Sequence, residues 1–234
     1  MEPEAFFEQA LGFKPTQYQA ELLQLFMKNQ FTAARWCRQS GKSHAVAGLL
    51  LYYALTYPGS WIGIVAPGLR QAKYIIRKIT LFLSKMPDGK YLCPRPMRTV
   101  LHFINGSVIE AFPNNPETIR GPTLNVVLWD ECNLTPNDQE LYDAILFTLG
   151  ATGGKFICTS TPWNKDSVFY KIFHHQAFKD FARSHVTWEQ AVEPNGPLKR
   201  SILEKIRAQY AEDPWRWQRE MEAEWAEDED SYFR

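Results

Sequence analysis

An α/β fold, with a mainly parallel central sheet flanked by helices and a small helix-rich lid subdomain, is predicted by three features of this 234-residue chain. Short apolar, β-prone runs alternate with longer helical stretches, the pattern of βαβ units with right-handed crossovers. One run, "LNVVLWDE" at residues 124–131, is almost continuously apolar, as expected of a strand covered on both faces. After Pro162 the alternation fades into helical segments, which places a core at residues 1–175 and the lid, with an acidic tail, at 176–234.

Taken in order, residues 6–25 read as helix, broken at "FKPTQYQ" by Pro15. The strand "FTAARWC" leads into the helix "SHAVAGLLLYYALT". The strand "SWIGIVAP" comes next, then the helix "LRQAKYIIRKITLFLSKM". "TVLHFI" and "SVIEAF" flank Asn105-Gly106, a pair suited to a two-residue hairpin turn. The buried strand ending at Glu131 precedes a helix over about 138–149 and a strand in "GKFICTSTP". A short strand around "ARSHVTW" and helices near 197–211 and 214–227 complete the chain.

With 45% apolar and 14% aromatic residues, the chain can bury a sizeable core. No run of eighteen apolar residues occurs, and the acidic start "MEPEAFFEQ" is unlike a signal peptide, so a soluble cytoplasmic protein is expected. Four cysteines, Cys37, Cys93, Cys132 and Cys158, lie far apart without CxxC spacing, which favours buried apolar roles over zinc or disulfides. The net charge of zero hides an asymmetry: residues 210–234 hold nine acids and three bases, leaving 17 acids and 23 bases before them. A mildly basic body permits a polyanionic partner.

The chemistry concentrates in two places. "RWCRQSGKSH", residues 35–44, carries Gly41-Lys42-Ser43 between an apolar strand and an amphipathic helix, although Trp36 stands where a phosphate-binding loop usually has its first glycine. A helix N-terminus offers unpaired N–H groups to an anion; Lys42 can reach β- and γ-phosphates and the Ser43 hydroxyl can bind Mg²⁺. The alternative is a solvated helix cap. Asp130 and Glu131 emerge at the carboxyl end of a buried strand, 88 residues beyond Lys42, where ligands bind in open α/β sheets. Asp130 can hold Mg²⁺ and Glu131 can deprotonate an attacking water. Together they point to a P-loop NTPase that hydrolyses a nucleotide with Mg²⁺.

"RQSGKS", "VVLWDEC" and "TSTP" together resemble the large terminase subunit of tailed bacteriophages, the ATP-driven motor that packages DNA. That family often lacks the first loop glycine and carries an Arg-Gln pair, matched by Arg38 and Gln39 ahead of Ser40, so the departure at Trp36 is tolerated. By the same resemblance Gln19 in "FKPTQYQ" reads the adenine edge. The resemblance also implies that Arg120 in "IRGP", in a polar loop after "NNPET", reaches a neighbour's γ-phosphate, the alternative being a solvated loop arginine. Thr159 opens "TSTP", which resembles the family's coupling motif that senses the γ-phosphate, the alternative being a polar strand end. "VAPGLRQAK" resembles a helicase-like segment whose Arg70, Lys73, Arg77 and Lys78 form a basic stripe, a solvated face or a DNA contact.

The implied function is ATP hydrolysis driving double-stranded viral DNA into a procapsid. Implied partners are the portal protein and the small terminase subunit. Implied assembly is a homo-oligomeric ring, or a monomer in isolation, in the host cytoplasm with no membrane. The family's usual C-terminal nuclease domain is missing after "DPWRWQREMEAEW", so no nuclease activity is expected. Two other readings are a superfamily-2-like helicase or remodeller, for whose second domain the chain has no room, and a nucleotide-gated DNA-binding adaptor. Glu131 speaks against the adaptor, since a binding switch needs no base.

Overall fold

The computed structural model describes residues 1–226. Helices α1 (Pro3–Gln9) and α2 (Gln17–Lys28) precede β1 (Phe31–Trp36), α3 (Lys42–Thr56), β2 (Trp61–Val65), α4 (Leu69–Lys85) and the short α5 (Gly89–Leu92). Next come β3 (Val100–His102), β4 (Val108–Ala111), α6 (Pro116–Arg120), β5 (Val126–Asp130), α7 (Asp138–Gly150) and β6 (Lys155–Ser160). The described chain closes with α8 (Val168–His174), β7 (Ala182–Val186), α9 (Trp188–Ala191), α10 (Arg200–Gln209) and α11 (Pro214–Glu220).

Seven strands form one sheet in the order β3-β4-β2-β5-β6-β1-β7. Every pairing is parallel except β3 with β4. The five residues of β5 are all buried, which explains their unbroken apolar run. The helix α3 is likewise buried along most of its length, from Ala45 to Leu51 without a break. One core cluster lies on the α3 and α4 face and a second around α7 and α8 on the other. All four cysteines are buried and free. No helix among the described residues is long and apolar enough to cross a membrane.

Two expectations for the C-terminal part change. The "ARSHV" strand is β7, paired with β1 in the main sheet, so the sheet runs past residue 175. It is the edge strand, partly exposed from Ala182 to His185, so the consecutive polar residues Arg183, Ser184 and His185 can occupy it. The chain beyond β7 has a small core of its own, Val192, Leu203, Trp217 and Met221. The helix expected near 214–227 ends at Glu220, and the acidic run Glu227 to Asp230 lies outside the described residues.

The hairpin turn also differs. Phe103 N donates to Ser107 O at 2.9 Å and Gly106 N to Phe103 O at 3.0 Å, which makes a three-residue loop, Ile104 to Gly106. Only Gly106 takes a positive φ, +85°, as the bulge residue of such loops does. A two-residue turn of the expected kind needs positive φ at Asn105 too. Asn105 is held otherwise: its amide donates to Ala54 O at 2.8 Å near the end of α3, and its Oδ1 accepts from Ser107 N. Arg120, expected in a loop, ends the short α6, whose start Pro116 and the Asn115 side chain, accepting from Glu117 N, define.

The segment after α11 returns across the sheet. Arg35 of β1 donates to Glu224 at 2.6 Å, His185 of β7 lies 2.8 Å from Glu222 O, and Trp225 Nε1 donates to Asn133 Oδ1 at 3.0 Å.

Candidate nucleotide site

The loop from Cys37 to Gly41 joins the end of β1 to α3. Its backbone turns on two positive-φ residues, Gln39 at +58° and Gly41 at +85°. Trp36 belongs to the strand, so no left-handed residue is needed at that position. The indole is fully buried, edge-on to the Tyr18 ring at 5.0 Å, and donates through Nε1 to Ser184 Oγ of β7 at 2.8 Å. The missing glycine therefore costs the loop nothing, and the tryptophan locks the strand that presents it.

The α2 start supports the loop from behind. Tyr18 OH donates to Ser40 O at 2.6 Å, and burial pushes its phenol up to about 12. Gln19 Nε2 donates to Gly41 O at 2.9 Å while its Oε1 accepts from Thr16 N, closing the capping box of α2. Gln19 is only 5% exposed, and a Cβ on Gly41 would come within 2.7 Å of its amide. The structure thus places Gln19 beneath the loop, with its Nε2 bonded to the loop carbonyl and its Oε1 to the N-cap backbone of its own helix. Ser40 Oγ is turned inward too, donating to Cys37 O at 2.7 Å.

Above the loop, the first turn of α3 has no side-chain cap, so its leading N–H groups are available to an anion. Lys42 Nζ meets Glu131 Oε1 at 3.0 Å. Burial works to lower the Lys42 pKa, but the Glu131 and Asp130 carboxylates outweigh it and hold it above the ordinary value. Glu131 sits just past β5 at φ +50°, a strained setting for a non-glycine residue, and its Oε2 is buried without a partner. Asp130 is buried, and its Oδ1 accepts from Thr159 Oγ1 at 2.6 Å. Burial pushes the Asp130 carboxyl up, with Lys42 pulling against it.

A cleft of about 260 Å³ opens over these groups, lined by residues 37–44 with Tyr74, Lys78, Glu131 and Thr161. It brings together Arg38, Gln39, Ser40, Gly41, Lys42, Ser43 and Glu131 of the expected set. Asp130 and Thr159 lie just below it, and Gln19 behind it. Thr159 does not reach the cleft, because its place opposite Asp130 in the β5–β6 register turns its hydroxyl to that carboxylate. Thr161, two residues along the same "TSTP", lines the cleft instead. Arg120 is not among the lining residues; it is exposed and ion-paired with Glu117 on its own helix. Arg38 is ion-paired with Glu220 of α11.

Sequence reading missed Thr161, Tyr18, His44 and Tyr74. Tyr18 and Thr161 stood inside quoted motifs, and the signal for Tyr74 was its place among the basic residues of α4. Lys78 Nζ lies 3.2 Å from His44 Nδ1 and 4.9 Å from the centre of the Tyr74 ring.

The oxygen donors here, a hydroxyl at Ser43 and a carboxylate at Asp130, suit a hard cation such as Mg²⁺ better than a thiophilic metal. Glu131 lines the same cleft, and its unpartnered Oε2 adds one more oxygen acceptor to that set.

A model of the N-terminal part of T4likevirus-type terminase large subunits matches residues 37–234. The terminase large subunit of Thermus phage G20c is 26% identical over 191 residues, which are 74% of this chain and 39% of that protein, so the chain spans well under half of that relative. The fold is that of the Thermus phage P74-26 large terminase ATPase domain, with a TM-score of 0.75, 22% identity, and coverage of 97% of this chain and 100% of that one. The large terminase of a thermophilic bacteriophage, in complex with ADP, aligns with a TM-score of 0.72 and 15% identity, over 90% of this chain and 53% of that one.

Proposed function

The chain belongs to the terminase large subunit family, and we propose that it hydrolyses ATP to drive double-stranded viral DNA into a procapsid. One observation carries the reading: a buried lysine at an uncapped helix start is paired with a strained glutamate at the carboxyl end of a buried strand.

The loop N–H groups and Lys42 receive the β- and γ-phosphates, and Lys42 leaves Glu131 to do so. Glu131, freed of its partner, takes the proton of a water whose oxygen attacks the γ-phosphorus. The bond from that phosphorus to the β,γ-bridging oxygen breaks, and ADP leaves with the electron pair. Ser43 and Asp130 would hold Mg²⁺, which neutralises charge on the β- and γ-oxygens when bound. Thr159 keeps the Asp130 carboxylate aimed, and Thr161 and Arg38 face the phosphate end. Arg120, exposed away from the cleft, serves the site of a neighbouring copy in a ring.

The named relatives include an ATPase domain and an ADP complex, which supports the nucleotide; DNA, the portal protein, the small subunit and the host cytoplasm follow from the family role. The test is steady-state ATP turnover with Mg²⁺, with and without duplex DNA, against Lys42→Ala. Turnover that this variant leaves unchanged would overturn the reading.

A further inference from the structure

We propose that the solvent face of α4, together with the segment at 96–98, is a contact surface for the phosphate backbone of duplex DNA; this rests on the translocating role above and assigns it a place on the molecule.

Residues 66–109 contain eight lysines or arginines and a single acid, Asp88. In a chain of zero net charge, that is a large local excess of one sign. The helix α4 alone carries five bases and no acid. Its apolar residues Ala72, Ile75, Ile76 and Ile79 are buried on one side, while Arg70, Lys73 and Arg77 fall on the opposite side at helical spacing. Like charges three and four residues apart destabilise a helix. A merely solvated helix face usually relieves that cost with interspersed acids, and this one has none. Among the described residues, Lys73, Arg77 and Arg98 make no ion pair.

These bases line a groove of about 480 Å³ with Leu81, Pro96 and Met97. Charge complementarity selects a polyanion. The groove holds no aromatic ring on which a free base could stack, and the neighbouring Tyr74 has the Lys78 ammonium 4.9 Å from its ring centre. Single-strand binders depend on such stacking, whereas duplex contacts fall mostly on phosphates. Arg70 and Arg77 are about 10 Å apart along the helix axis, roughly three base-pair steps along one strand. The same helix places Tyr74 and Lys78 in the nucleotide cleft, so a strand held in the groove lies one helix width from the phosphates.

The experiment measures binding of a 30-base-pair duplex and of a 30-nucleotide single strand, without nucleotide, across salt concentrations. The variants are Lys73→Ala/Arg77→Ala/Arg98→Ala, the single Arg98→Ala, and a control of equal charge loss on other faces, Lys28→Ala/Lys179→Ala/Lys205→Ala. The triple variant should lose duplex affinity at least about tenfold near 0.1 M salt, and the slope of log K against log salt should flatten by about 2.7, or about 0.9 for Arg98→Ala. The control should keep both, and basal ATP turnover should stay at the parent level in every variant. Unchanged duplex affinity and slope in the triple and single variants would overturn the proposal, as would an equal loss in the control, a loss confined to the single strand, or a parent protein that fails to bind duplex. Absence of ATP turnover in the parent would instead refute the catalytic reading and leave this measurement readable.

Discussion

Gln19 and Gly41, 22 residues apart in the chain, are joined by a 2.9 Å bond from the side-chain amide to the loop carbonyl. The bond fixes the residue that sets the loop's left-handed turn, so its removal should loosen phosphate binding whatever base the nucleotide carries. Gln19→Ala is expected to weaken ATP and GTP to the same degree, several-fold each. A loss confined to ATP, read by titration of both nucleotides, would instead make Gln19 a reader of the adenine edge.

Trp36→Gly restores the glycine that phosphate loops usually have at this position, yet it should harm the protein. It empties a fully buried indole site and removes the bond to Ser184, which costs about 4 kcal/mol by the range for large-to-small changes at buried aromatics. Denaturant unfolding should show that loss, and nucleotide affinity in the folded fraction should not improve.

Glu131→Gln should retain ATP while turnover falls about 10²- to 10⁴-fold, since an amide cannot take the water's proton. Binding and single-turnover hydrolysis separate the two effects. Parent-rate hydrolysis would move the base elsewhere.

Asp130→Asn tests the electrostatics. Burial raises the native pKa of this carboxyl above 3.8, so the folded protein holds its proton more tightly than the unfolded chain does. Ionisation therefore weakens the fold: the cost is absent below the unfolded pKa and grows as pH rises through the native one. An asparagine keeps an acceptor for Thr159 and carries no charge. The variant should melt above the parent at pH 7 to 8, lose that advantage toward pH 4, and be inactive. Equal melting at pH 8 would contradict the account.

Arg120→Ala should bind ATP normally and lose turnover, because its guanidinium lies outside its own cleft. Mixed with Glu131→Gln, it should recover activity at interfaces that pair an intact Arg120 with an intact Glu131. Established arginine fingers are worth about 10³- to 10⁵-fold. A demonstrably mixed ring without recovery would put Arg120 in a cis role.

The parts legible in the sequence were those written in contiguous residues. Gly41-Lys42-Ser43 and the run ending in Asp130-Glu131 carry their context with them, a strand before and a helix after. β7 was assigned to the lid because edge strands lose the apolar signature, and Arg183, Ser184 and His185 interrupt this one. The directions of Gln19 and Thr159 were not legible at all. Each is set by a partner far along the chain, Gly41 in one case and Asp130 in the other. Likewise, Asn105-Gly106 suggested a tighter turn than the one formed, because the docking of Asn105 on Ala54 is a tertiary contact.

The return of residues 220–225 across the sheet has a mechanical consequence. Glu220 grips Arg38 in the loop, Glu224 grips Arg35 in β1, and the Trp225 indole is fastened to Asn133, two residues past Glu131. A pull on the chain at Trp225 would thus be felt at once by the loop at 37–41, by the strand carrying it and by the turn beside Glu131. The end of α11 and the five residues after it thus carry three separate ties to the floor of the cleft, so tension applied there would act on the loop through the lid's own last helix.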